Sequence, residues 1–124
     1  MAIGVVLAAA GALDAGSATT SGIRGRVTSS PTCPVERPPP DPACAPRGFA
    51  ARLTIRRVSD NGVAARVATK ADGSYSVRLK AGRYRVSARP ASGQSPPSCP
   101  PPVTATVHSG RYTRVAIDCD SGIR

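Results

Sequence analysis

The chain has 124 residues, a formal net charge of +10, four Cys, one His and no Trp. This length leaves room for one domain with a core of its own, and so few aromatic side chains do not suit a ligand site built by aromatic stacking. Fifteen of the seventeen basic residues are Arg, which suits contact with polyanions such as phosphate-bearing cell-wall polymers, lipid headgroups or nucleic acid. The alternative is that the charge reflects a GC-rich coding sequence and keeps a secreted domain soluble.

The N-terminal segment is an apolar run from Met1 to Leu13, about as long as the hydrophobic region of a signal peptide. Small residues follow it, as signal peptidase requires, so cleavage is expected near Ala18. No Lys or Arg precedes the run. We therefore interpret residues 1–20 as a truncated signal peptide or a disordered leader, and residues 21–124 as a single domain. The run is too short to span a membrane, and no membrane span is expected further along the chain.

Apolar and polar residues alternate along most of the remaining chain, and a period of two is typical of strands with one buried and one solvated face. Turn residues such as Asp72-Gly73 and Ser109-Gly110 separate the alternating segments. The pattern therefore predicts an all-β domain, with antiparallel sheets that are each solvated on one face. The seven predicted strands are Ile23–Thr28, Arg52–Val58, Val63–Thr69, Ser74–Leu79, Arg83–Arg89, Val103–His108 and Tyr112–Cys119.

The same alternation predicts which way side chains point. Tyr75 and Tyr84 fall on the inner faces and belong to the core. Arg83, Arg85 and Arg89 share the outer face of one strand, about 7 Å apart for each two-residue step. Arginine is well suited to bidentate contact with phosphate or carboxylate, so these three are candidate anion-binding residues. Almost no aromatic residue lies between them, so specific reading of nucleic acid is not expected. The other outward basic residues of the strands are Arg24, Arg26, Arg52, Arg56, Arg66, Arg78 and Arg114.

An even number of cysteines in a short chain behind a candidate signal sequence predicts two disulfides. Ser29–Arg47 is rich in Pro and can be neither helix nor central strand. Cys33 and Cys44 lie near its ends, so we interpret it as a loop closed by a Cys33–Cys44 disulfide. None of the cysteine spacings resembles the paired C-x2-C of structural zinc sites, so no metal or other cofactor is expected.

The second disulfide is predicted from a hairpin around the Ser109-Gly110 turn. If inward residues match across that hairpin, Ala105 faces Val115. The same register puts Cys119 opposite Pro101, one diagonal away from Cys99. It therefore predicts a Cys99–Cys119 disulfide.

Two segments of the chain resemble the carboxypeptidase regulatory-like domain family. They are Gly22-Ile-Arg-Gly25-Arg-Val27 and Thr69-x2-Asp72-Gly73-x-Tyr75-x-Val77-x-Leu79-x2-Gly82-x-Tyr84-x-Val86. The resemblance covers Gly22 to about Asp120, with the Pro-rich loop as an insertion after the first strand. It implies a seven-stranded Greek-key sandwich of the prealbumin-like type, in which the fourth and fifth strands lie in different sheets. In the peptidases this domain accompanies the catalytic domain and does no chemistry.

Catalysis is not expected from the titratable residues. His108 is the only imidazole, and its position places it on an outer face at a strand end. Ser109 and Asp118 are near it in sequence, but no nucleophile or oxyanion motif surrounds them. The chain also lacks the His-x-x-Glu zinc motif of the peptidases and the C-terminal Tyr-Arg-Gly-Ser of the related transthyretin-like hydrolases. Asp60 and Asp72 are interpreted as turn formers, since two isolated acids do not make a calcium loop.

The sequence as a whole predicts a non-enzymatic β-sandwich that is secreted or held at the bacterial cell envelope, in a stand-alone form. It would act as a monomeric binding or structural module. Its partner would be an unidentified protein or an anionic envelope polymer, and not a specific nucleic acid. Two alternatives stay open: a basic polyanion-binding protein that uses the outward Arg faces, and an accessory domain of a peptidase.

Overall fold

The computed structural model describes residues 20–35, 38–39 and 41–123, and these residues form an all-β structure of two sheets. The predicted all-β class is therefore confirmed. The predicted leader, apart from Thr20, lies outside the described residues. The strands, numbered in chain order, are β1 (Gly22–Ser30), β2 (Arg47–Gly48), β3 (Ala51–Arg57), β4 (Val63–Ala68), β5 (Ser74–Arg78), β6 (Gly82–Pro90), β7 (Val103–Val107), β8 (Tyr112–Arg114) and β9 (Ile117–Asp120).

The first sheet is built around β1. The first half of β1 is antiparallel to β5, with Gly25 opposite Tyr75, and its second half is antiparallel to β2. Two further strands, β8 and β9, run parallel to β1 one after the other. Between them, Val115 donates its backbone N–H to the carbonyl of Arg24 at 2.8 Å. The first sheet therefore contains both parallel and antiparallel neighbours, and the prediction of antiparallel sheets is wrong for this sheet.

The second sheet has the strand order β4-β3-β6-β7, and all its neighbours are antiparallel. The ladder between β3 and β6 extends over seven residue pairs, from Ala51 opposite Pro90 to Arg57 opposite Tyr84. The ladder between β3 and β4 shifts register between Ile55 and Arg56. Because β3 and β6 are central, their outward side chains form the middle of an exposed face.

The core lies between the sheets and follows the predicted alternation. Ile23, Val27, Leu53 and Ile55 are almost completely buried, and each contributes about 1.5–3 kcal/mol by leaving water. Tyr84 is buried too, and its hydroxyl donates to the carbonyl of Lys80 at 2.6 Å. A buried phenol needs such a partner. The other core residues are Ala51, Tyr75, Leu79, Val86, Ala105, Val107, Val115, Ile117 and Cys119.

The number of strands differs from the prediction, because the structure has nine strands where the sequence predicts seven. The first six predicted strands match observed ones to within two residues. The predicted strand Tyr112–Cys119 is divided into β8 and β9, and the two-residue β2 is additional. The division occurs where Val115 crosses Gly25. A Cβ on Gly25 would collide with the carbonyl of Val115, so this close approach requires glycine.

The predicted hairpin around Ser109-Gly110 is wrong. Ala105 lies opposite Tyr84 of β6 and not opposite Val115, and β8 pairs with β1. The turn therefore carries the chain from the second sheet to the first. The alternation of inward residues is the same for either partner, so it could not show which strand β8 would join. One side-chain contact links the two segments, since the Thr113 hydroxyl donates to the carbonyl of Thr106 at 2.6 Å.

The structure contains the two disulfides expected from the sequence. Cys33 and Cys44 close the Pro-rich loop, with Cα atoms 5.3 Å apart. Cys99 and Cys119 are joined beside an isolated antiparallel bridge of Ser98 with Asp120, and not through the predicted register of Pro101 with Cys119. The second disulfide therefore fastens the segment before β7 to β9 of the other sheet.

The fourth and fifth predicted strands lie in different sheets, as the family resemblance implies, since β5 belongs to the first sheet and β6 to the second.

Within the residues that the structure describes, no helix is long and apolar enough to cross a membrane. The short 3-10 turn Pro42–Cys44 is capped by Asp41, which accepts from the N–H of Ala43 at 2.9 Å.

Candidate anion-binding face

The three predicted anion-binding residues lie together on β6. Arg83, Arg85 and Arg89 are all exposed, and they point away from the core because Tyr84 and Val86 occupy the inner positions. The strand is central in its sheet, with β3 on one side and β7 on the other. Their outward direction is therefore confirmed, and their neighbours on both sides are defined by register.

Register brings further arginines onto the same face. Arg85 lies directly opposite Arg56 of β3, and Arg89 lies directly opposite Arg52. Residues opposed in this way on antiparallel strands have Cβ atoms about 5 Å apart. The two arginine pairs are four residues apart along each strand, which is about 13 Å. The face thus presents two pairs of guanidinium groups.

A sixth arginine comes from the edge strand. Arg66 of β4 lies opposite Thr54 of β3, and Thr54 is the outward residue between Arg52 and Arg56. Arg52, Arg66 and Arg89 line one shallow hollow with a volume of about 330 Å³. We call the six outward arginines of β3, β4 and β6 the arginine face. They are Arg52, Arg56, Arg66, Arg83, Arg85 and Arg89.

The arginine face carries no acidic side chain on its four strands. Among the described residues, the recorded ion pair joins Arg57 to Asp60 at 3.1 Å, in the turn between β3 and β4. The N–H of Gly62 and the guanidinium of Arg57 hold the pKa of Asp60 below its usual value. Arg56 Nη1 donates to the uncharged backbone carbonyl of Asn61 at 3.0 Å. The positive charge of the face is therefore not balanced by its own strands.

Sequence reasoning missed half of this site. Arg52, Arg56 and Arg66 are recognised as outward residues from the alternation, but nothing in the alternation shows that β3 lies between β4 and β6. The signal that could have revealed it is the excess of arginine at outward positions in two separate segments. That excess points to one face only once the strand order is known.

Of the residues considered for catalysis, Asp118 lies far from His108 and Ser109. His108 and Ser109 follow β7, close to the start of β8, where Tyr112 pairs with Gly22. Asp118 pairs with Thr28, six residues further along β1, which is roughly 20 Å. Its carboxylate accepts from the hydroxyl of Thr28 at 2.8 Å and from that of Ser30. The structure therefore does not bring Asp118 to His108.

The two predicted turn formers do take part in turns. Asp60 accepts from the N–H of Gly62 at 2.8 Å. Asp72 accepts from the N–H of Ser74 at 2.9 Å and from its hydroxyl at 2.6 Å, and these bonds lower the pKa of Asp72. In the described part of the chain, no group of three or more His, Cys, Asp or Glu side chains could hold a metal ion.

A larger hollow of about 510 Å³ lies between the end of β1 and the Pro-rich loop. Its lining is mainly Pro31, Pro42, Pro46 and the buried Cys44. Asp41 is the one charged residue among the described residues that line it. It offers an apolar wall with negative charge, so it does not suit an anionic ligand.

Comparison of the chain with protein-family models and with curated proteins found no match. The arginine face is therefore interpreted from its own geometry and charge.

Proposed function

We propose that this protein is a non-enzymatic binding module that works outside the cytoplasm and holds a phosphate-bearing polymer on its arginine face. The observation that carries the proposal is the direct opposition of Arg52 with Arg89 and of Arg56 with Arg85. Like charges directly opposite each other destabilise a sheet. A phosphate group between two guanidinium groups replaces that repulsion with charge-assisted, bidentate hydrogen bonds.

Because the paired arginines repel each other, binding of an anion should also stabilise the folded protein. Without a ligand, the central strands of the second sheet carry an electrostatic penalty that the apolar core must offset. A ligand that binds only the folded state stabilises it by mass action. A polyanion should therefore raise the melting temperature, and the increase should shrink as salt screens the charges.

An extended polymer fits the face better than a small anion does. The two arginine pairs are about 13 Å apart along the strands, so one phosphate cannot occupy both. Stacking of bases on aromatic side chains is a main source of affinity for single-stranded nucleic acid, and the described outward positions of β3, β4, β6 and β7 hold no aromatic residue. We therefore favour a phosphate-bearing envelope polymer over nucleic acid.

The setting of the module is proposed from its cysteines and its N-terminal sequence. Disulfides persist mainly in oxidising compartments, and the chain has two. The apolar run at the N-terminus is consistent with a secreted or envelope protein of a bacterium. We propose this setting for the module and propose no cofactor for it.

Membership of the carboxypeptidase regulatory-like family is part of the proposal. Two features support the implied seven-stranded, prealbumin-like sandwich. One is the separation of β5 and β6 into different sheets. The other is that β8 and β9 follow one another along β1, so counting them as one interrupted strand and omitting β2 leaves seven.

The proposed role does not include catalysis. Purified protein should not hydrolyse peptide, ester or hydroxyisourate substrates. Hydrolysis that disappears in the variant His108→Ala would contradict the non-enzymatic role.

The test is binding of the purified protein to long-chain inorganic polyphosphate and to poly(glycerol phosphate) at several salt concentrations. Because binding releases counterions, the logarithm of the affinity should fall linearly with the logarithm of the salt concentration. Replacing Arg83, Arg85 and Arg89 together by Ser should weaken binding at least about tenfold and reduce the salt slope by about 2–3. A variant with Arg47, Lys80 and Arg111 replaced by Ser carries the same net charge and is the control.

Equal loss of affinity in both variants would show that net charge alone governs binding and that the face is not a site. Tighter binding to double-stranded DNA than to either phosphate polymer, at the same salt concentration, would assign the face to nucleic acid instead.

A further inference from the structure

A second cationic surface lies on the outer face of the first sheet. Arg24 of β1 is beside Arg114 of β8 in the parallel register, and beside Ser76 of β5 on its other side. Arg24 and Arg114 line a hollow of about 430 Å³ together with Lys70 and Ser74. All three basic residues are exposed. We call Arg24, Lys70 and Arg114 the first-sheet cluster.

The first-sheet cluster is partly balanced by one acid. The carboxylate of Asp72 lies close enough to Arg26 and Lys70 for their charges to contribute to lowering its pKa. That carboxylate is already held by the N–H and the hydroxyl of Ser74. Arg24 and Arg114 lie further along the sheet, where Ser76 is the polar neighbour of Arg24. The hollow therefore keeps a net positive charge and can take one phosphate or carboxylate group.

The two cationic surfaces face in opposite directions. The inner faces of the two sheets share one core, which includes Ile23 of the first sheet and Leu53 and Ile55 of the second. Packed sheets lie about 10 Å apart, and the outward side chains add to the thickness between the surfaces. A polymer segment lying on the arginine face therefore cannot reach the first-sheet cluster without passing around an edge of the sandwich.

We infer that the protein cross-links phosphate-bearing polymers, with one chain on the arginine face and a phosphate of a second chain in the hollow of the first-sheet cluster. This inference rests on the proposed function of the arginine face. The arginine face, with six cations, supplies most of the affinity. The first-sheet cluster is the weaker site. It gains occupancy once several proteins lie along one polymer chain, because a second chain held by one of them is then close to the clusters of its neighbours.

The experiment uses the full chain with long-chain polyphosphate and measures two quantities on the same samples, binding and light scattering. For the parent protein, scattering should rise as protein is added and then fall in excess protein, when every polymer segment is saturated and bridges are lost. The cluster variant carries Arg24→Ser, Lys70→Ser and Arg114→Ser. It should bind within about threefold of the parent affinity, yet its scattering should drop at least about fivefold.

The control for net charge is the variant with Arg47, Lys80 and Arg111 replaced by Ser, which should scatter like the parent. Sedimentation of the parent alone should show a monomer, since a dimer could bridge through two copies of the arginine face.

The other outcomes contradict the inference, and they show whether the proposed function fails with it. If the cluster variant scatters like the parent, or if the control loses scattering equally, the first-sheet cluster is not a second site. A parent that binds polyphosphate tightly without scattering excludes cross-linking and leaves the proposed function intact. A parent that does not bind polyphosphate at all contradicts both.

Discussion

The outer faces of the two sheets differ in the chemistry of their side chains. On the first sheet, outside the first-sheet cluster, polar side chains find partners within the sheet: the hydroxyls of Thr28 and Ser30 donate to Asp118, and Arg26 Nε donates to the backbone carbonyl of Asp72 at 2.9 Å. On the second sheet, Arg52 and Arg89 lie directly opposite each other. Polar groups that hydrogen-bond within the sheet add to its stability, whereas like charges placed opposite each other are suited to binding an external counter-ion.

The largest expected difference is between the two sides of a single strand, β6. Tyr84 is buried and donates to Lys80, whereas Arg85 is exposed and opposite Arg56. Tyr84→Ala should lower the free energy of unfolding by about 3–5 kcal/mol, as for other buried aromatic residues. Arg85→Ala should change it by no more than about 0.5 kcal/mol. Denaturant unfolding of both variants measures this, and equal midpoints would show that the assigned side-chain directions are wrong.

The disulfides should contribute the next largest effect. In the loop-entropy model each of the two bridges is worth about 3 kcal/mol. Mass spectrometry of an unreduced digest should recover Cys33 with Cys44 and Cys99 with Cys119. A peptide that joins Cys33 to Cys99, or Cys44 to Cys119, would contradict the pairing. It would also remove the link between the segment before β7 and the first sheet.

The hydrogen bonds to Asp118 on the first sheet should contribute less to stability than either disulfide. Asp118→Ala removes the acceptor of two hydroxyl groups, and the expected loss is about 1 kcal/mol of unfolding free energy. The matched variant on the second sheet is Arg56→Ala, which removes one member of an opposed pair and should be neutral or slightly stabilising. If Arg56→Ala is the more damaging of the two, the contrast between the faces is wrong.

The smallest effect concerns Tyr75 at alkaline pH. Burial raises the pKa of Tyr75 to about 12, from a usual value of 10.0. Its neutral form therefore contributes stability that is complete below pH 10 and is lost as the pH rises towards about 12. Tyr75→Phe removes the hydrogen bond to Val115, which is 2.6 Å long, and should lower stability by about 1 kcal/mol at pH 7.

The difference in unfolding free energy between the parent and Tyr75→Phe should shrink between pH 10 and 12. Only the parent has a phenol, and its ionisation in this range favours the unfolded chain. Unfolding curves at pH 7, 10 and 11.5 measure the trend. A difference that stays constant over this range would contradict the burial of the Tyr75 phenol.

The alternation of residues predicted the inside and outside of nearly every strand, because side-chain direction along a strand is a local property. It did not predict which strands are neighbours. Tyr112–Cys119 has the same alternation whether it pairs with β7 or with β1, so the predicted hairpin was wrong while the burial of Val115 and Ile117 was right. The break at Val115 depends on its close approach to Gly25, which is a contact between distant residues.

In the candidate site, too, the direction of side chains could be predicted and the neighbouring strands could not. That Arg83, Arg85 and Arg89 point outward follows from β6 alone. That Arg52 and Arg56 face two of them follows only from the register between β3 and β6. The pairing of Cys99 with Cys119 was expected from a register that does not exist, and it forms instead beside the bridge between Ser98 and Asp120.

The most direct test of the account compares two variants that carry the same net charge. One has Arg52, Arg85 and Arg89 replaced by Ser, and the other has Arg24, Lys70 and Arg114 replaced by Ser. Binding to polyphosphate is measured for both across a salt series. The arginine-face variant should lose at least about tenfold in affinity and about 2–3 units of salt slope, whereas the other should stay within about threefold of the parent. Equal losses in affinity and slope would contradict the claim that the arginine face is the principal binding surface.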